Sequence, residues 1–138
     1  MGENSRKAVG PVGKKLRITA AVCVVVACGC IFYASTIPSS GLPSGLGFWS
    51  TVAHFVEYSC LAAALAIALC DGRRRFWAIV VVAMVFCSIY GATDEFHQWF
   101  VPGRCTDVMD WLTDTAGGFF GSWLALSIAS AIGKRKSR

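Results

Sequence analysis

His54-Phe55-Val56-Glu57-Tyr58 sets a histidine, a glutamate and a tyrosine at i, i+3 and i+4, and Asp94, His97 and Gln98 repeat that spacing further along the chain. On a helix such residues share one face. A third set, Asp107, Asp110 and Asp114, follows the same rhythm, and Gly117, Gly118 and Gly121 continue it. Glu95 sits beside Asp94, about 100° further around the helix. Carboxylates beside imidazoles can move protons, which makes Glu57, Asp94, Glu95 and Asp110 acid or base candidates and His54 or His97 a proton carrier. His54, Tyr58, His97, Gln98, Arg104 and Asp114 are the candidate ligand contacts. The guanidinium fork of Arg104 suits a phosphate or carboxylate, supplied by a ligand or by these acids. No cofactor is expected. The imidazoles and carboxylates are compatible with a divalent metal, although the chain has no His-Glu-x-x-His. It also lacks Gly-x-Ser-x-Gly and a Ser/Lys pair, so nothing supports covalent catalysis.

The elements that must carry these groups are unusually apolar. The chain is 138 residues long, 55% hydrophobic and only 15% charged. A soluble domain is nearer 25% charged, because its surface faces water. A span needs about 20 mostly apolar residues. Four segments meet or nearly meet that need: Ile18 to Ile37, Phe48 to Cys70, Phe76 to Tyr90, and Val108 to Ile132. The third continues as a helical pattern through Gln98 until Val101-Pro102-Gly103-Arg104 forces a turn. Pro38 through Gly47 reads as a loop, and Asp71-Gly72-Arg73-Arg74-Arg75 ends the second span. The expected fold is all-α: a four-helix membrane bundle over 18–132, between basic cytoplasmic tails at 1–17 and 133–138. Short connections predict antiparallel sequential neighbours. A membrane β-barrel would need alternating apolar and polar residues, which are missing.

The charges divide by sign. Twelve of the thirteen Lys and Arg lie in the N-terminal tail, the Arg73–Arg75 loop and the C-terminal tail. The positive-inside rule then puts both termini in the cytoplasm and Arg104 outside. This clustering accounts for the net charge of +5, and no nucleic-acid motif accompanies it, so no nucleic acid is expected as partner. Glu57, Asp94, Glu95, Asp107, Asp110 and Asp114 all fall in the outer half or outer loop, leaving Glu3 and Asp71 on the other side. Acids contribute little to orientation, so their grouping points to a site. From Phe76 to Asp94 the helix rises about 27 Å, which nearly crosses the hydrocarbon core. The acids therefore belong at the outer interface.

Each feature also has a plain reading. His54 alone could be a satisfied interfacial residue, the three aspartates could complement the N-terminal end of the fourth helix, and the Asp94-Glu95 pair could be a solvated rim. Together, in so small and apolar a chain, they read as one pocket. Gly117-x-x-x-Gly121 is a close-packing face, used within the bundle or in a homo-oligomer. Trp49, Trp99 and Trp111 fit an outer aromatic belt and Trp77 an inner one. The basic N-terminus and first apolar run mimic a signal peptide, but the run is long enough to span and is expected to stay uncleaved. Six of the seven cysteines lie in or at the ends of apolar runs without Cys-x-x-Cys spacing, so neither a zinc ribbon nor a disulfide framework is expected. Cys105, in the polar loop, is expected to be a free thiol.

The stretch Asp94-Glu95-Phe96-His97-Gln98-Trp99-Phe100-Val101-Pro102-Gly103-Arg104, with Asp110, Asp114, Gly117 and Gly121, resembles the VanZ-like family, named for an accessory teicoplanin-resistance protein. The family pattern resembles D-E-x-x-Q-x-F-x-P-x-R, then a spaced D, then N or D before a small-residue helix. His54-Phe55-Val56-Glu57-Tyr58 is similar to its H-F-x-x-Y signature. The resemblance runs from Phe48 to Gly121. Two features depart from it: many members carry a Lys just before the His-Phe signature, where this chain has Ser50, Thr51 and Val52, and Asp114 stands where members often have Asn. The resemblance implies a bacterial inner-membrane protein linked to the cell envelope or to glycopeptide sensitivity, without supplying a reaction. The leading expectation is an envelope protein that binds an amphiphile at the outer leaflet: a lipid-linked cell-wall precursor, a phospholipid or a lipoglycopeptide. The alternatives are an intramembrane acid–base or metal-assisted enzyme on a lipid head group, and a small transporter. The transporter ranks last, because its acids would sit mid-membrane at a repeat interface.

Overall fold

The computed structural model describes residues 10–41 and 47–136. The N-terminal tail with Glu3, Arg6 and Lys7, the middle of the Pro38–Gly47 connection, and Ser137 and Arg138 lie outside the described residues. Four long helices carry the chain: α1 Lys14–Ser35, α2 Gly47–Leu69, α3 Phe76–Gln98 and α4 Val108–Lys136. All four are long and apolar enough to cross a membrane. Third-helix continuation to Gln98 holds, while α4 runs on past Ile132 to Lys136. A short 3-10 turn, Ser39–Gly41, follows α1.

The bundle exposes apolar side chains on its outside and buries a group of polar ones within. Val22, Val25 and Val26 on α1, Val81, Val82, Val85 and Ile89 on α3, and Ile128 and Ile132 on α4 are exposed. Buried residues include His54, Asp94, Glu95, Gln98, Asp114 and Ser122. An apolar shell of this extent, on four helices long enough to cross a membrane, suits lipid around it. Within lipid the backbone must satisfy its own hydrogen bonds, and helices do so.

Sequential order does not set the packing order. The α2–α4 contact is the most extensive, followed by α3–α4 and α1–α2, while α2 and α3 share a smaller contact and α1 and α3 touch only slightly. All sequential neighbours touch, as expected, and α2 meets α3 where Cys87 Sγ donates to the Tyr58 carbonyl at 3.8 Å, but each of the two packs more extensively on α4 than on the other. The pairing of α2 with α4 is parallel, since Thr51 meets Asp110, His54 meets Asp114 and Ser59 meets Gly121. It is set by small residues. A Cβ on Gly117 would stand 2.8 Å from the Phe55 carbonyl oxygen, and one on Gly121 would collide with the Ser59 carbonyl. Both glycines are buried in this contact, so the face they form serves the bundle and is not free for a second copy.

Two apolar clusters fill the bundle away from the acids. Ala66, Cys70, Ile79, Val80 and Leu126 form one, and Ile31, Tyr58, Leu61, Ala62, Ala83 and Cys87 form the other. At the basic end, Val12 N–H donates to the Cys70 carbonyl at 3.2 Å and Arg17 Nε donates to the Ala68 carbonyl at 3.0 Å. Arg17 thus closes the C-terminal end of α2, where a cation is favourable. Asp71 accepts the Arg73 backbone N–H at 2.9 Å, which holds its carboxyl below the usual range. All seven cysteines are free.

Candidate functional site

The acids converge at the end of the bundle away from Arg17 and Asp71. Each is placed by a local device. Asp107 precedes α4, and its Oδ1 accepts the Met109 N–H at 2.8 Å, which makes it the N-cap. It is exposed and lies off the face expected to run from Asp107 to Asp114. One turn in, Asp110 Oδ1 accepts the Thr51 hydroxyl at 3.2 Å. Deeper still, Asp114 is fully buried, and its Oδ1 lies 3.0 Å from His54 Nδ1. The α3 acids tie the next turn together. Glu95 Oε2 accepts the Asp107 backbone N–H at 2.8 Å, and Asp94 Oδ2 accepts the Gln98 amide at 3.0 Å.

Gly91 makes room for this arrangement. A Cβ at that position would stand 2.6 Å from Asp114 Oδ2. Gly91 therefore belongs to the site, although sequence reasoning passed over it. Its signal was present: it lies one turn before Asp94 on the same helical face, and a glycine inside an apolar helix marks close approach. Trp111 is a second such residue. Expected in the outer belt, it is instead half-buried, with its indole N–H donating to the Ser88 carbonyl at 3.0 Å. Trp49 and Trp99 remain exposed, as does Trp77.

A cavity of about 250 Å³ opens beside this cluster. Ile31, Ala34 and Ile37 give it an apolar wall, and His54, Glu57, Asp94, Gln98 and Arg104 give it polar groups. Tyr58, His97 and Asp114, expected as ligand contacts, do not line it. Tyr58 is fully buried, with its ring nearly parallel to that of His54 at 6.3 Å. His97 turns toward α1 and packs on Phe32 at 4.6 Å. Asp114 lies behind His54 and contacts its ring. Glu95 and Asp110 also lie off the cavity, in a separate group with His54.

Arg104 differs most from its expected role. Its Nε donates to the Ile37 carbonyl at 3.1 Å and its Nη2 to the Ala34 carbonyl at 3.2 Å. It closes the C-terminal end of α1 as Arg17 closes that of α2, rather than pairing with the acids. Among the described residues, the close contact of an imidazole with a carboxylate at this end is His54 Nδ1 to Asp114 Oδ1 at 3.0 Å.

The order of these groups is that of a described family. A model of the VanZ/LLP1 family matches residues 20–129, most of the chain. The chain belongs to the VanZ/LLP1 family. No curated protein and no solved structure matches it. The matched region takes in the α1 wall of the cavity, all the buried acids and the α2–α4 glycine contact. With its four membrane-capable helices, this VanZ/LLP1 member is a multi-pass membrane protein whose polar groups gather at one end.

Proposed function

We propose that this protein sits in the bacterial inner membrane with both termini in the cytoplasm and uses its extracytoplasmic cavity to bind the head of an amphiphilic envelope molecule. The observation that carries this reading is the two-sided lining. Ile31, Ala34 and Ile37 suit an acyl or isoprenoid chain, and His54, Glu57, Asp94, Gln98 and Arg104 suit a polar head. A volume of about 250 Å³ falls just below the usual range for a whole drug-sized ligand. It accepts a head group while the chain remains in the bilayer. Lipid-linked cell-wall precursors, phospholipids and lipoglycopeptides all have this construction, and occupancy by one of them would alter teicoplanin sensitivity. Positive-inside bias supports the orientation: Lys14, Lys15, Arg17, Arg73, Arg74, Arg75, Lys134 and Arg135 all lie toward the end opposite the cavity.

The test is binding of an undecaprenyl-pyrophosphate-linked precursor, a phosphatidylglycerol and teicoplanin to the protein in nanodiscs. Ala53, exposed on the cavity lining, is the residue to enlarge. Ala53→Trp fills the cavity without changing a charge and is expected to abolish binding of at least one of the three. Equal binding by wild type and A53W, or no binding of any, sinks the proposal.

A second reading has one observation in its favour. Asp114 fixes the His54 ring beside Glu57 at the cavity, as a general base is oriented in acid–base catalysis. An intramembrane enzyme would then use His54, Glu57 and Asp94, which face the cavity, rather than Glu95 and Asp110. Head-group turnover lost in Glu57→Gln with binding retained would favour it.

A further inference from the structure

We propose that His54, Glu95 and Asp110 form a divalent-metal site on the bundle side of the cavity. One ring nitrogen of His54 and one carboxylate oxygen each from Glu95 and Asp110 lie within 4.8 Å of one another. Atoms this close need only small side-chain adjustments to come within about 2.0–2.2 Å of one ion, the distance at which zinc holds nitrogen and oxygen donors. The donors come from three different helices, α2, α3 and α4, so the fold itself assembles the set.

A second observation points to the same occupant. Glu95 is only 7% exposed, and its Oε1 has no hydrogen-bond partner among the described residues. Its other oxygen is held by the Asp107 backbone N–H, so the carboxylate is oriented with one oxygen free. A buried carboxylate oxygen left in this state is costly, and a cation that reached it would remove that cost. Arg104 does not, because its guanidinium faces the carbonyls of α1.

The surroundings have the form that metal sites use to fix their ligands. Asp114 takes one nitrogen of the His54 ring at 3.0 Å, which sets the tautomer and leaves the other nitrogen as the donor. Thr51 donates to Asp110 Oδ1 and orients that carboxylate in turn. One imidazole and two carboxylates form a mixed nitrogen and oxygen set, which suits manganese or zinc better than calcium or magnesium. The site needs no amphiphile in the cavity and stands whether or not one binds there.

The test is a titration of the full-length, tag-free protein in detergent with Mn²⁺, followed by electron paramagnetic resonance. Manganese is the probe because the seven free cysteines would compete for zinc. One equivalent of Mn²⁺ per chain is expected. Glu95→Gln and Asp110→Asn should each weaken it by at least about tenfold, and Asp114→Asn, which acts through His54, by about 10–100-fold. Asp71→Asn, at the opposite end, should bind as wild type does. Helicity and size-exclusion profile identify variants that have lost the fold, and E95Q, which keeps side-chain volume, remains decisive if D110N does not fold. Absence of stoichiometric Mn²⁺ in the wild type, or wild-type affinity in folded E95Q, overturns the site.

Discussion

Gly91 and Asp114 form a matched pair across the α3–α4 contact: the glycine leaves the space that the aspartate Oδ2 occupies. Asp114 in turn holds the ring of His54 on α2. A residue without a side chain on one helix thus sets the position of an imidazole two helices away. Gly91→Ala should destabilise the protein by about 1–3 kcal/mol, the usual cost of overpacking. Asp114→Ala, which frees the space, should make that penalty smaller. The check is a double-mutant cycle on denaturation in detergent; a coupling below about 0.5 kcal/mol would mean the two residues act independently.

Gly121 is under a stricter constraint, since its neighbour is the Ser59 backbone carbonyl rather than a side chain. Backbone cannot rotate away. Gly121→Val is expected to separate α2 from α4 and abolish the monodisperse folded species on size exclusion. A folded, monodisperse G121V would show that the α2–α4 contact tolerates a wider spacing.

Arg104 closes α1 through the Ile37 and Ala34 carbonyls. Arg104→Ala removes two charge-assisted hydrogen bonds, each worth roughly 1.5–3 kcal/mol. It should raise amide exchange in the last turn of α1 before any change elsewhere. Unchanged protection across residues 31–37 would return Arg104 to the role of a free anion contact.

Cys105 offers a direct reading of orientation. It is exposed in the connection between α3 and α4, at the acidic end. In a variant that keeps only this cysteine, a membrane-impermeant maleimide should label intact spheroplasts. Labelling only after permeabilisation would reverse the proposed topology.

Trp111 bonds across to the Ser88 carbonyl on α3. Trp111→Phe should cost about 0.5–1.5 kcal/mol, the net worth of one hydrogen bond. An interfacial belt residue would give a change close to zero in the same denaturation assay.

Much of this molecule is legible along the chain. Apolar run length specifies four spans, because lipid admits only backbones that satisfy themselves. The polar tail of α3 through Gln98 follows from unbroken helical spacing up to the Pro102-Gly103 turn. Spacing also placed His54 with Glu57 and Asp94 with Gln98 on shared faces, and the cavity is lined by all four. Helical period, however, relates a residue only to its own axis. It could not say that Asp114 would become fully buried, or that His97 would turn to Phe32 on α1. Those outcomes depend on which helices are neighbours. The packing of α2 against α4 was decided by close backbone approach at Gly117 and Gly121, and that of α3 against α4 in part by the Asp114 side chain seated on Gly91, properties of paired surfaces that no single segment contains. The tertiary packing likewise separates Glu57 and Asp94, which face the cavity, from Glu95 and Asp110, which gather on the other side of His54.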